Sequence, residues 1–145
     1  MIDAVVYTDG SCSFKNGTGG WAFILMTEDE TFEHSGAEAD TTLGRMELMG
    51  PLMSLEYLTL IEANGRVLIV SDSQYVVDGF NDKQRARNKH KDLWNRMEEL
   101  AKPFHCVLFE HVKGHTGDHW NERADKLAGT ARLALLESIT NTRSK

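Results

Sequence analysis

Arg66-Val67-Leu68-Ile69-Val70-Ser71-Asp72 (residues 66–72) decides the fold. Residues 66–71 read as a strand that is apolar on both faces, as suits a central strand of a parallel sheet covered by helices. An acid follows directly. Upstream, Asp3-Ala4-Val5-Val6-Tyr7-Thr8-Asp9 reads as a first strand and also ends on an acid. Residues near 44 to 63 lie between them and are helical in period. Leu48, Leu52, Leu55 and Leu58 recur at spacings of four and three and form one apolar stripe. Gly65 is expected to close that helix. A helix between two strands is a crossover, so the strands can be parallel neighbours. Asp9 and Asp72 then stand side by side at two C-terminal strand ends, the crevice where open α/β sheets bind ligands.

The rest of the chain fits around this unit. Gly10 to Gly20 is a turn-rich loop. Trp21 to Met26 reads as a second strand and Thr31 to Ser35 as a third, with acidic Glu28-Asp29-Glu30 at the hairpin. Short helices are predicted over 73–80 and 89–101, a fifth strand over 104–112 and a last helix over 120–137. The buried side of that helix is expected to carry Trp120, Ala124, Leu127, Ala128, Ala131 and Leu135. This order makes an α/β class fold, a mixed sheet with packed helices. Residues 1–137 form one domain, and 138–145 are expected to be a polar, frayed tail.

Composition sets outer bounds. At 145 residues the chain suits a single domain, and 41% hydrophobic with 26% charged residues is ordinary for a soluble globular protein. No apolar run is long enough to cross a bilayer, and the N-terminus lacks the basic-then-apolar order of a signal peptide. Cys12 and Cys106 lie far apart and read as reduced thiols of an intracellular, cytoplasmic protein. The net charge of −6 opposes nucleic-acid binding in sum. Distribution matters more, because Lys83, Arg85, Arg87, Lys89 and Lys91 fall in one short stretch. Such a run alone is more often a solvated face than a binding site.

Four acids in four separate segments carry the chemistry: Asp9, Glu47, Asp72 and Asp125. Carboxylates gathered from distant segments repel one another unless cations lie between them. Hard oxygen ligands suit Mg²⁺ or Mn²⁺, and a four-carboxylate site can hold two metals for in-line displacement at a phosphodiester. Each acid also has a plainer reading. Asp9 and Asp72 can be turn formers, Glu47 a charge favoured in a helix first turn, and Asp125 an ion-pair partner of Arg123 or Arg132.

Five motifs in register choose between these readings. They are Tyr7-Thr8-Asp9-Gly10-Ser11-Cys12; Gly19-Gly20-Trp21-Ala22; Thr41-Thr42 before Arg45-Met46-Glu47-Leu48-Met49; Ser71-Asp72-Ser73-Gln74-Tyr75-Val76; and Val112-Lys113-Gly114-His115 with Asn121-Glu122-Arg123-Ala124-Asp125-Lys126-Leu127-Ala128. Over about residues 3 to 135 the chain resembles type 1 ribonuclease H, in the form with a shortened basic protrusion. The resemblance implies a ribonuclease H-like, five-stranded mixed sheet of order 3-2-1-4-5 flanked by helices. It implies endonucleolytic cleavage of the RNA strand of an RNA–DNA hybrid, leaving a 5′-phosphate and a 3′-hydroxyl, by a monomer that uses two Mg²⁺ ions, with Mn²⁺ as a substitute. Asp9, Glu47, Asp72 and Asp125 take the places of the metal-binding carboxylates, and His115 that of a loop histidine that moves protons. Gly10, Ser11 and Cys12 are candidates for the minor groove, Gln74 for a base edge and Thr42 for a DNA phosphate. Lys15, Asn16 and Asn121 complete the expected substrate contacts.

The chain also departs from that family. Leu43 and Gly44 stand where two polar residues are usual, and Lys15-Asn16 where Asn-Pro is usual. Pro51 falls inside the first helix, where proline costs about 3 kcal/mol or more. A kink between Glu47 and Pro51, or a helix that restarts at Pro51, is therefore expected. Only Asn81 to Asp92 separates the helix after Asp72 from Leu93-Trp94, with no tryptophan in the gap. Two rival readings are a catalytically silent hybrid-binding module and a junction resolvase or DNA exonuclease of the same broad fold.

Overall fold

The structure is a computed structural model and describes residues 2–82, 89–114 and 118–143. In chain order the elements are β1 (Ala4–Cys12), β2 (Gly19–Met26), β3 (Thr31–Glu38), α1 (Leu43–Leu60), β4 (Arg66–Ser71), α2 (Gln74–Asn81), α3 (Lys91–Ala101), β5 (Cys106–His111) and α4 (His119–Arg143). The five strands form one sheet of order β3-β2-β1-β4-β5. β1 pairs antiparallel with β2 and parallel with β4, so α1 is the expected crossover. Thr8 is level with Ser71, and Ser71 with His111.

Side chains along a strand alternate between faces, and this alternation assigns a helix to each face. A Cβ on Gly19 would meet Met46 of α1, whereas one on its neighbour Gly20 would run into the Ala128 carbonyl of α4. Trp21, Phe23 and Leu25 therefore join the main core under α1, together with Val6, Leu48, Leu55 and Ile69. Ala22 and Ile24, buried on the other face, lie toward α4, whose Ala124 and Ala128 are also buried. Small residues on both sides let α4 approach closely, and that face holds Asp9.

Several boundaries differ from the sequence expectation. β3 runs on to Glu38, and Gly36 leaves room for the Trp21 indole. α1 stops at Leu60, before Gly65. Glu62 takes φ 60, and the Ala63 N–H returns to the Leu58 carbonyl, so the chain reverses without glycine. β5 starts at Cys106, because Phe104 is buried in the preceding turn. The expected frayed tail is helical as far as Arg143 in α4, where the Thr142 hydroxyl donates back to the Ser138 carbonyl.

The expected break at Pro51 is absent, and α1 continues through it as one helix. Proline offers no N–H to the Glu47 carbonyl four residues earlier. Packing holds the helix instead. A Cβ on Gly50 would lie 2.9 Å from the Ala22 carbonyl oxygen and 3.0 Å from Thr8 Cβ, so this turn presses directly on the sheet. Pro51 is itself buried, and its carbonyl accepts the Ser54 hydroxyl at 2.7 Å.

Candidate active site

The parallel ends of β1 and β4 place Asp9 and Asp72 together, each one residue beyond the last pair, Thr8 and Ser71. Asp9 is 6% exposed. Its Oδ1 accepts the Gly10 N–H at 2.9 Å. Because Asp9 points to the α4 face, its carboxyl also meets that of Asp125, one turn after Asn121. Two carboxyls share a hydrogen bond only when one carries a proton. Burial, then the Asp72 charge, then the Asp125 contact push the Asp9 carboxyl well above the ordinary range, against the pull of the Gly10 N–H.

Glu47 reaches the same end from α1. A Cβ on Gly10 would lie 2.5 Å from the Glu47 nitrogen, so only glycine there lets this turn of α1 close on β1. Thr42 caps the helix by accepting the Arg45 N–H at 3.2 Å. Burial pushes the Glu47 carboxyl up to about 7; a hydrogen bond from the Ser73 hydroxyl lowers it, and the Asp72 charge raises it. Ser73 is buried and also caps α2 by accepting the Val76 N–H at 3.3 Å. The sequence reading missed Ser73. Its only signal was a serine before an amphipathic run, which reads as a cap.

Lys113 and Gly114 follow β5 toward Asp72. Val112 donates to the Ser71 carbonyl at 2.9 Å, His111 Nε2 lies 3.2 Å from the Asp72 carbonyl, and a Cβ on Gly114 would lie 3.0 Å from Asp72 Oδ2. His115 lies outside the described residues, as do residues 83–88 of the basic stretch.

The expected substrate contacts have varied placements. Gly10, Ser11 and Cys12 end β1 beside the carboxylates and are half-buried, with the Cys12 thiol 3.6 Å from the Thr41 carbonyl. Lys15 and Asn16 lie exposed in the next loop. The Asn16 amide oxygen is engaged by the Thr18 N–H and hydroxyl. Gln74 is exposed and donates to Asp78 at 2.7 Å. Asn121 is only 3% exposed and offers little surface to a ligand. Arg123 does not pair with Asp125; its guanidinium forks onto Glu33 of β3 at 2.8 and 3.0 Å.

Asp9, Glu47, Asp72 and Asp125 make a hard-oxygen set that fits divalent cations such as Mg²⁺ or Mn²⁺. The fit is electrostatic. Asp9 is buried against two like charges, so its ionised form calls for a positive neighbour. Among the described residues, no three His, Cys, Asp or Glu side chains are already drawn close enough to hold an ion. A cation would have to draw these carboxylates inward.

The RNase H family model matches residues 2–132. A ribonuclease H of Maricaulis maris is 39% identical over 142 residues, covering 88% of this chain and 92% of that one. A ribonuclease H of Jannaschia sp. is 38% identical over 162 residues, covering 100% and 99%. Among solved structures, the N-terminal RNase H domain of a Mycobacterium tuberculosis protein superposes with a TM-score of 0.83 at 22% identity, over 96% of this chain and 99% of that one.

Proposed function

Because the chain belongs to the ribonuclease H family, we propose that it cuts the RNA strand of RNA–DNA hybrids endonucleolytically at the carboxylate end of its sheet. The observation that carries this reading is the meeting of Asp9 with Asp72 and Asp125, and of Glu47 with Asp72, from four separate segments. Asp9, Glu47, Asp72 and Asp125 would hold two Mg²⁺ ions, with Mn²⁺ able to substitute. When bound, two such ions activate a water and neutralise charge on the leaving 3′ oxygen.

The chain's own groups supply the rest. The Gly10 N–H fixes the rotation of the Asp9 carboxylate, and the Ser73 hydroxyl fixes that of Glu47. Water adds to phosphorus, the bond to the 3′ oxygen breaks, and that oxygen leaves as a hydroxyl once it has gained a proton. The products are a 5′-phosphate and a 3′-hydroxyl. His115, next after Gly114 in the sequence, would move that proton. Gly10 to Cys12 face the wide minor groove of the hybrid, where 2′-hydroxyls distinguish RNA from DNA. The protein acts as a monomer, with the short basic stretch over 83–91 serving as a reduced protrusion. No described helix is long and apolar enough to cross a membrane.

A hybrid labelled on each strand in turn tests this reading, with Mg²⁺, Mn²⁺ or chelator, beside Asp72→Asn. The expected result is metal-dependent cutting of the RNA strand alone, lost in the variant. Cutting of the DNA strand would point to a different nuclease. Binding without cutting by either metal would point to a silent module.

A further inference from the structure

Phe14, in the loop between β1 and β2, is 94% exposed. The other phenylalanines, Phe23, Phe32, Phe80, Phe104 and Phe109, lie in the core or pack against it. Phe14 lines a cavity of about 420 Å³ together with Leu43, Gly44, Tyr75 and Lys89, and Glu47 lines it too. The cavity is therefore continuous with the carboxylate site. Gly44 keeps it open, since a Cβ there would lie 3.2 Å from His90 Nε2. His90 stands at φ 57 and ψ 41. A non-glycine residue is uncommon there, and such strain gathers at ligand sites.

The chemistry of this wall is narrow. Phe14 and Leu43 present apolar area and no hydrogen-bonding group, so a contact made here is blind to base identity. Lys89 adds one positive charge. Nucleic acid matches that pairing, with flat, weakly polar sugar and base faces spaced by phosphates. A protein partner seated here would cover Glu47 and so obstruct the reaction centre.

We propose that Phe14 and Leu43, with Lys89 beside them, form a nucleotide subsite: one sugar–base unit of the hybrid, next to the cleaved phosphate, packs on the Phe14 ring and Leu43 while Lys89 takes its phosphate. This subsite rests on the hybrid-cleaving reading above. It holds the hybrid by shape and apolar contact at a point where base-edge readout is absent.

Fluorescence anisotropy with a labelled RNA–DNA hybrid tests it, on an Asp72→Asn background that leaves the hybrid intact. Phe14→Ala weakens binding by about 5- to 100-fold, the loss typical of removing an aromatic from a nucleotide contact. The slope of log affinity against log salt stays unchanged in that variant, and Phe14→Trp restores the affinity. Lys89→Ala lowers the slope by about 1, as one lost phosphate contact should. Phe14→Ala that binds like its parent, with the same melting temperature, overturns the subsite, as does an unchanged slope in Lys89→Ala. If the unmodified chain cuts the RNA strand while Phe14→Ala binds normally, only the subsite falls. If the chain neither binds nor cuts a hybrid, both readings fall.

Discussion

Asp9 and Glu47 are acids that hold their protons longer in the folded chain than in the unfolded one, and the sign of that shift gives a test. Burial is the leading cause for both, with the Asp72 charge adding to it, and Glu47 rises from 4.5 to about 7. An acid raised on folding contributes stability that is fully present below its unfolded value and is lost as pH rises through the folded value. In chelator, therefore, the melting temperature falls between about pH 5 and about pH 8, with the Glu47 share gone just above neutrality. Divalent cations bind the ionised forms and compete with these protons. Excess Mg²⁺ thus raises the melting temperature more at the higher pH. Thermal unfolding followed by circular dichroism, with chelator and with Mg²⁺ at each pH, measures both effects. A Mg²⁺ increment that is equal at the two pH values would remove these carboxyls from the cation site. The convergence of the four acids is legible in the sequence because each lies in a recognisable motif at a strand end or on a helix. Ser73 is not, because one hydroxyl serves two partners. The sequence shows the cap on Val76, and only the fold brings Glu47 within its reach.

Among the elements, α1 shows what a local rule can and cannot decide. Pro51 breaks the helix by propensity alone, yet α1 passes through it. The penalty is local, whereas Gly10 and Gly50 clamp this helix to β1 and β2 over two successive turns. Tertiary packing overrides propensity here. β3 and α4 outrun their expected ends for a related reason. Pairing with β2 carries β3 on through Gly36, Ala37 and Glu38, and the helical ladder carries α4 on through its polar end. Pro51→Ala isolates the proline term. The substitution returns an N–H to the Glu47 carbonyl, a gain of about 3 kcal/mol. It also removes two buried methylenes, a loss of about 1.6 kcal/mol. The net expectation is a gain of about 1 kcal/mol, a rise of a few degrees in melting temperature for a chain of this size. A fall of a few degrees instead would mean that the proline ring packs better than its missing hydrogen bond costs.

For the whole molecule, the β2–β3 hairpin and the β1–β4 crossover are readable from hydrophobic pattern, whereas the full order β3-β2-β1-β4-β5 is legible only through the family resemblance. The depth of α4 against β2 is not legible, because it depends on Gly20, Ala22, Ala124 and Ala128 meeting across two distant segments. Charge poses the remaining question at this scale. The chain carries a net charge of −6 and must hold a polyanion. Carboxylates crowd the proposed reaction end, and five of the 16 lysines and arginines, Lys83, Arg85, Arg87, Lys89 and Lys91, fall in one short stretch. If about three to five of these contact phosphates, log affinity falls against log salt with a slope of roughly −3 to −4.5. Hybrid affinity then drops by tens- to hundreds-fold when monovalent salt rises about fourfold from low ionic strength. Replacing Lys83, Arg85 and Arg87 with serine should flatten that slope by about 3 and weaken binding most at low salt. Anisotropy titrations across a salt series read slope and intercept separately, and the two report different parts of the surface. The slope belongs to the basic stretch. The affinity left at high salt belongs to contacts that release no counterions, of which the Phe14 and Leu43 wall is the largest exposed candidate at the site. A slope that survives loss of the three cations would move the electrostatic grip off this stretch and onto the loops around Lys15 and Lys113.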